Sequence, residues 1–124
     1  MLLNRFGKEL LFFDGGMGTQ LQKKGLSPGE LPETMNITCP DIVKSVHMDY
    51  LNAGCDIITT NTFGANSLKF DNVEEIISSG VRLVKEAIRE SGKKAYTALD
   101  VGPTGKLLKP CGTLSFDEAY NLFR

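Results

Sequence analysis

Long apolar runs are what this chain most plainly lacks: its longest, Leu10 to Phe13, has four residues, against about 20 for a transmembrane helix and at least 7 for the core of a signal peptide. No membrane span or secretory leader is expected, and the cytoplasm is the expected compartment. Charge of one sign is lacking too. Fourteen Lys and Arg interleave with 15 Asp and Glu for a net charge of -1, which leaves no basic footprint for nucleic acid and no patch for anionic lipid. Cysteine is scarce: Cys39, Cys55 and Cys111 are odd in number and widely spaced, so neither a disulfide framework nor a C-x-x-C metal knuckle can be drawn, and reduced thiols are expected. Internal repeats, low-complexity tracts and domain-separating linkers are missing as well. What remains is 124 residues, 41% of them hydrophobic, enough for one domain with a core.

The stretch Leu10 to Leu21 organises the rest. Four apolar residues without polar alternation predict a strand buried on both faces, as in a parallel sheet covered by helices, and the strand ends in Asp14. Gly15, Gly16 and Gly18 follow, removing side chains that would hold a ligand away from the backbone and allowing positive φ. A short helix from Thr19 to Lys24, stopped by Gly25, completes the unit. A carboxylate beside free N–H groups is a bipolar site: the acid suits an ammonium and the amides suit an anion. A free amino acid carries both groups.

Along the rest of the chain, residues 1–9 form a lead-in with at most one helical turn, and Ser27 to Glu33, with two prolines and a glycine, predicts a long loop without regular structure. A helix is expected from Pro40 to Ala53, with Thr38 and Asp41 as a capping-box pair and Gly54 as its left-handed stop. Its apolar face reads Val43, Val46, Tyr50, flanked by Ile42 and Leu51, with His47 as a packing residue on that face. Cys55 to Thr60 is the second strand, running into Asn61-Thr62-Phe63-Gly64. The second long helix covers Val73 to Glu90, capped by Asp71 or Asn72 and closed by Gly92, with Val73, Ile76, Ile77, Val84, Ala87 and Ile88 as its buried stripe. Gly80 within it predicts close helix–sheet packing. The third strand, Ala95 to Leu99, ends in Asp100 and a loop from Val101 to Gly105. Ser115 and Glu118 then form a capping box for a third helix, whose Tyr120, Leu122 and Phe123 read as a core face still incomplete at Arg124, as if the sequence were cut.

Strands alternating with helices imply βαβ units and a parallel sheet, in an open doubly wound form or a barrel. In both, the site lies at the C-terminal ends of the strands, where Asp14, Asn61 and Asp100 fall in register. A dinucleotide fold is the weaker reading: Gly16-Met17-Gly18-Thr19-Gln20-Leu21 matches only two glycines of G-x-G-x-x-G, and Asp14 would oppose a pyrophosphate.

With Asp14-Gly15-Gly16-Met17-Gly18-Thr19-Gln20-Leu21, Pro32-Glu33 with Asn36, Val46-His47, the run Ala53 to Asn66, and Asp100-Val101-Gly102-Pro103-Thr104-Gly105 in order along the chain, the sequence resembles the homocysteine S-methyltransferase family. Within it the segments resemble the N-terminal homocysteine-binding module of the cobalamin-dependent methionine synthase branch. The resemblance implies the first three β/α units of a truncated (β/α)8 TIM barrel, in which homocysteine is bound with its sulfur on zinc and methylated to methionine. Carried onto these residues, Asp14 holds the ammonium group and the Gly16-Met17-Gly18 turn holds the carboxylate through the Met17 and Gly18 amides. Asn61, Thr62 and Asp100 lie at the pocket rim. The zinc thiolates, a late cysteine and a Gly-Gly-Cys-Cys motif, have no counterpart in Cys39, Cys55 or Cys111, and the second acid on the ammonium lies beyond Arg124. Hence neither a catalytic residue nor a metal ligand is expected within these residues, and the piece alone is expected to be inactive. The implied partners are L-homocysteine, the remaining barrel, and folate and cobalamin modules, with self-association through open sheet edges. A stand-alone methyltransferase with another donor, and a non-catalytic amino-acid-binding or interaction domain, remain the alternatives.

Overall fold

The computed structural model describes residues 2–124. It is a mixed α/β arrangement in which two helices carry most of the packing and the sheet is small. After a 3₁₀ turn at Leu2–Asn4 come α1 (Met17–Lys23), a second 3₁₀ turn (Pro32–Thr34), α2 (Met35–Thr38), α3 (Pro40–Ala53), β1 (Ile57–Thr59), α4 (Val73–Ser91), β2 (Tyr96–Ala98) and α5 (Phe116–Leu122). Strands β1 and β2 pair in parallel, with Ile57 opposite Tyr96 and Thr59 opposite Ala98.

Three β/α units were expected, and the described residues show two strands. Leu10 to Phe13 contributes a single parallel bridge, Phe13 to Ile57, supported by the Asp56 amide donating to Phe12 O at 2.8 Å and the Asp14 amide to Ile57 O at 3.0 Å. Nor is this segment buried on both faces. Leu10 is 81% exposed and Phe12 59%, because burial of an apolar run depends on elements stacked over it, and the described residues stack none there.

The long helices follow their sequence signals closely. Helix α3 spans the expected residues, and Gly54 ends it at φ +100°, a conformation that glycine adopts at no steric cost. Helix α4 ends likewise at Gly92, φ +66°. The expected Thr38–Asp41 capping box is absent: Cys39 is the N-cap of α3, and Thr38, the last residue of α2, donates back to Thr34 O. Two helices meet at this point, so Thr38 is helical and unavailable as a cap. Asn72 caps α4 by position alone, its amide being engaged by Glu75. The proline-rich loop is more regular than expected, since Pro32 opens a 3₁₀ turn with its fixed φ. The Ser115–Glu118 capping box is present in full.

Two apolar clusters make the core. One joins Leu21, Leu26, Met35, Val43, Val46 and Leu83 across α1, α2, α3 and α4; the other packs Leu51, Ile58, Val84 and Ala87 between the helices and β1. His47 is fully buried among the helices, as a packing residue should be. Gly80 does not meet a strand. A methyl group there would stand 2.9 Å from Thr62 Cγ2 and 3.0 Å from Asn36 Nδ2, so α4 presses on the loop that follows β1. The expected core face of α5 is open, with Tyr120 and Phe123 exposed. None of the described helices is long and apolar enough to cross a membrane.

Candidate functional site

The polar groups that follow Phe13, β1 and β2 converge on one cleft of about 300 Å³, lined by Gly15 to Gly18, Pro32, Glu33, Thr59 to Phe63, and Asp100. Depressions of about 360 and 510 Å³ flank α5, but neither is lined by a candidate site residue. Of the seven candidates, Gly16, Met17, Gly18, Asn61, Thr62 and Asp100 line the cleft. Asp14 lies next to it, between lining residue Gly15 and its bonding partner Thr59.

Asp14 is half-buried and tightly held. The Thr59 amide donates to Oδ2 at 3.0 Å, and the Thr59 hydroxyl lies 3.0 and 3.1 Å from the two oxygens. Burial holds this carboxyl above the usual range; the bonds from Thr59 pull the other way, and the charge of Asp100 adds to the rise. A carboxylate offers about four lone-pair sites, so the contacts with Thr59 fix its rotamer without exhausting it.

The glycine turn serves by its size. None of Gly15, Gly16 and Gly18 adopts a positive φ, so the backbone freedom that glycine allows here is not used. A Cβ at Gly15 would stand 3.0 Å from the Tyr50 hydroxyl, and that hydroxyl donates to Gly16 O at 3.1 Å. Helix α1 starts at Met17, two residues before the expected Thr19. The Met17 and Gly18 amides are therefore first-turn donors without an intrahelical acceptor, and both residues line the cleft.

Asn61 and Thr62 line it with side chains already engaged. Asn61 Nδ2 donates to Pro32 O and to Asn36 Oδ1, while Asn36 Nδ2 donates to Asn61 O and Ile76 O. The Thr62 hydroxyl donates to Asp100 O at 2.7 Å, and the Asp100 amide donates to Thr60 Oγ1 at 3.0 Å. Thr62 has one proton and spends it on Asp100, so Thr60 must be the donor across the 2.6 Å contact between the two hydroxyls. This closed circuit ties the end of β1 to the end of β2.

Glu33 was not among the candidates, and the structure brings it in. It is 5% exposed, lines the cleft, and accepts the Gly64 amide on Oε1 at 2.6 Å. A glutamate after proline in a loop gives no local sign of burial; only the glycine 31 positions later, whose Cβ would stand 2.7 Å from Oε1, makes room for it. Asp100 is held above the usual carboxylate range by burial and by the charge of Glu33. Among the described residues no Lys, Arg or His lines the cleft. Carboxylates without a cation, facing amides without an acceptor, suit a small zwitterion.

The cysteines assemble no thiolate set. Cys55 donates to Phe13 O, and its thiol is pushed up by burial and by the charges of Asp14 and Asp56. Among the described residues no group of three or more His, Cys, Asp or Glu is placed to hold a metal ion. The residues present do not fit the zinc that the resemblance implies.

Residues 11–124 match the family model described as homocysteine S-methyltransferase. The methionine synthases of Mycobacterium tuberculosis and Mycobacterium leprae are each 31% identical over 121 residues, which cover 86% of this chain and 10% of theirs. The chain thus spans about a tenth of the length of these relatives. The metallated form of the homocysteine methyltransferase MmuM from Escherichia coli superposes with a TM-score of 0.69 at 24% identity, over 84% of this chain and 41% of that one, a likeness of fold.

Proposed function

The chain belongs to the homocysteine S-methyltransferase family, and from that premise we propose that its cleft is the amino-acid-binding part of a site where L-homocysteine is methylated on sulfur. The observation that carries this reading is the pairing, in one cleft, of carboxylates lacking a cation with the free amides of Met17 and Gly18. Asp14, oriented by Thr59, takes the substrate ammonium. The Met17 and Gly18 amides take its carboxylate, with Gly16 keeping the backbone open to it. Asn61 and Thr62 hold the rim in shape, and Asp100 adds negative charge at the ammonium end. Bound at both ends of its amino-acid head, homocysteine has only its side chain free to direct the sulfur outward.

We read the residues as the opening three β/α units of a (β/α)8 barrel, an architecture of about 250 residues, with Leu10 to Phe13 as the first barrel strand. Parallel pairing of β1 and β2 and the site at their C-terminal ends support this. In such a family zinc would hold the thiol as thiolate near neutral pH, where a free thiol with pKa about 8.5 is mostly protonated. Its ligands would have to come from other parts of the barrel, and the described residues alone are expected to be inactive. Similarity to methionine synthases favours a cytoplasmic enzyme of that branch, in which cobalamin and a folate methyl donor would enter through further modules. The uncovered segment at Leu10 to Phe13 is the edge through which the isolated chain would self-associate.

Asp14→Asn tests the reading in the enzyme that carries this segment. Losing a charge-assisted bond of about 1.5–3 kcal/mol raises KM for L-homocysteine tenfold or more, with zinc content unchanged. An unaltered KM refutes the role of Asp14.

A further inference from the structure

The buried carboxylate of Glu33 has no place in the roles above. It is 5% exposed, comes from the 3₁₀ turn Pro32–Thr34, and makes one bond, from the Gly64 amide to Oε1. Oε2 has no partner among the described residues. Removing a carboxylate from water without a counter-charge is costly, and the nearest charges in the cleft are of the same sign: Asp100 is raised in part by Glu33 itself. Space for the carboxylate depends on Gly64, so the feature involves two residues far apart in sequence. A cationic group entering the cleft would relieve this burial.

We propose that Glu33 is a substrate-binding residue, its Oε2 accepting the ammonium of the bound amino acid and so selecting amino acids over their deaminated analogues. This rests on the reading of the cleft as an amino-acid site. It adds a further acid, drawn from the loop before α2 and not from a strand end, to the charge that Asp14 supplies.

The test measures binding of two probes to the enzyme that carries this segment by isothermal titration: L-homocysteine, and 4-sulfanylbutanoate, which is the same molecule without the ammonium. The variant is Glu33→Gln, whose side-chain oxygen still accepts the Gly64 amide. The wild-type enzyme binds homocysteine at least tenfold more tightly than the analogue; Glu33→Gln loses about tenfold for homocysteine and stays within twofold for the analogue. An equal loss for both probes means that Glu33 only props the loop, and overturns the proposal. An unchanged homocysteine affinity in Glu33→Gln, with loss in Asp14→Asn, overturns it while leaving the amino-acid site standing. Binding of neither probe by the wild-type enzyme overturns both. Should Glu33→Gln fail to fold, the side-chain carboxyl ¹³C resonance of Glu33 in the wild type decides: movement with homocysteine but not with the analogue supports the proposal, and no movement with homocysteine overturns it.

Discussion

Replacing His47 with leucine isolates one proton. His47 is fully buried, neither Nδ1 nor Nε2 has a partner among the described residues, and burial alone pushes its pKa down to about 4. In the unfolded chain it titrates near 6.5, so between these values the unfolded state binds the extra proton. The folded pKa is the lower one; stability is therefore fully present above about pH 6.5 and is lost as pH falls toward 4. The loss reaches ~2 kcal/mol at pH 5 and approaches ~3 kcal/mol near pH 4. Leucine removes the proton and also two unsatisfied ring nitrogens, each costing about 1–3 kcal/mol when left buried. The variant is expected to be at least as stable as wild type at pH 7.5, with the gap widening by ~2 kcal/mol at pH 5. Urea unfolding followed by far-UV circular dichroism at both pH values measures this, since the chain has no tryptophan. Carboxyls that shift on folding, lowered at Asp56 and raised at Asp14 and Asp100, act in both proteins and cancel in the difference. A gap equal at the two pH values refutes the reasoning, because it would mean that His47 takes up its proton without unfolding.

Gly80→Ala gains about 1 kcal/mol of helix propensity and loses about 1–3 kcal/mol to overpacking against Thr62 and Asn36; thermal unfolding should show a net loss of at most ~2 kcal/mol. Because the added methyl pushes on the cleft wall, homocysteine affinity should fall in the same variant, by titration, and unchanged affinity would detach Gly80 from the site. Ile58→Ala, in the fully buried middle of β1, should cost about 2–5 kcal/mol, read as a lower urea midpoint at unchanged slope.

The helices were legible because their signals are local. Gly54 and Gly92 stop α3 and α4 where left-handed backbone is needed, and Ser115 with Glu118 starts α5; in each case one or two residues decide. The Leu10 to Phe13 segment misled because an apolar run says only that burial is favourable, while burial itself requires covering elements. At the site, the candidates were found by position, after strands and in the glycine turn, and position does not reveal bonding. Asn61 bonds Pro32 and Asn36 across 29 and 25 residues, and Glu33 meets Gly64 across 31. Such pairs leave no periodic trace in the sequence.

The polar residues of the cleft divide into two sets, and the division explains how so small a sheet can present a defined site. Thr60, Thr62, Asn36 and Asn61 use their donors on one another and on the backbone. They face a ligand as fixed walls, so little side-chain entropy remains to be lost on binding. The Met17 and Gly18 amides, Asp100, and the spare lone pairs of Asp14 and Glu33 keep their capacity. The carboxyls of Asp14 and Asp100 are held above their usual range by burial first, with the charge of Asp100 adding to the rise at Asp14 and that of Glu33 to the rise at Asp100. A cation beside such carboxylates removes like-charge repulsion while an anion adds to it, so on the amino-acid reading proposed above these acids favour the ammonium end of the ligand.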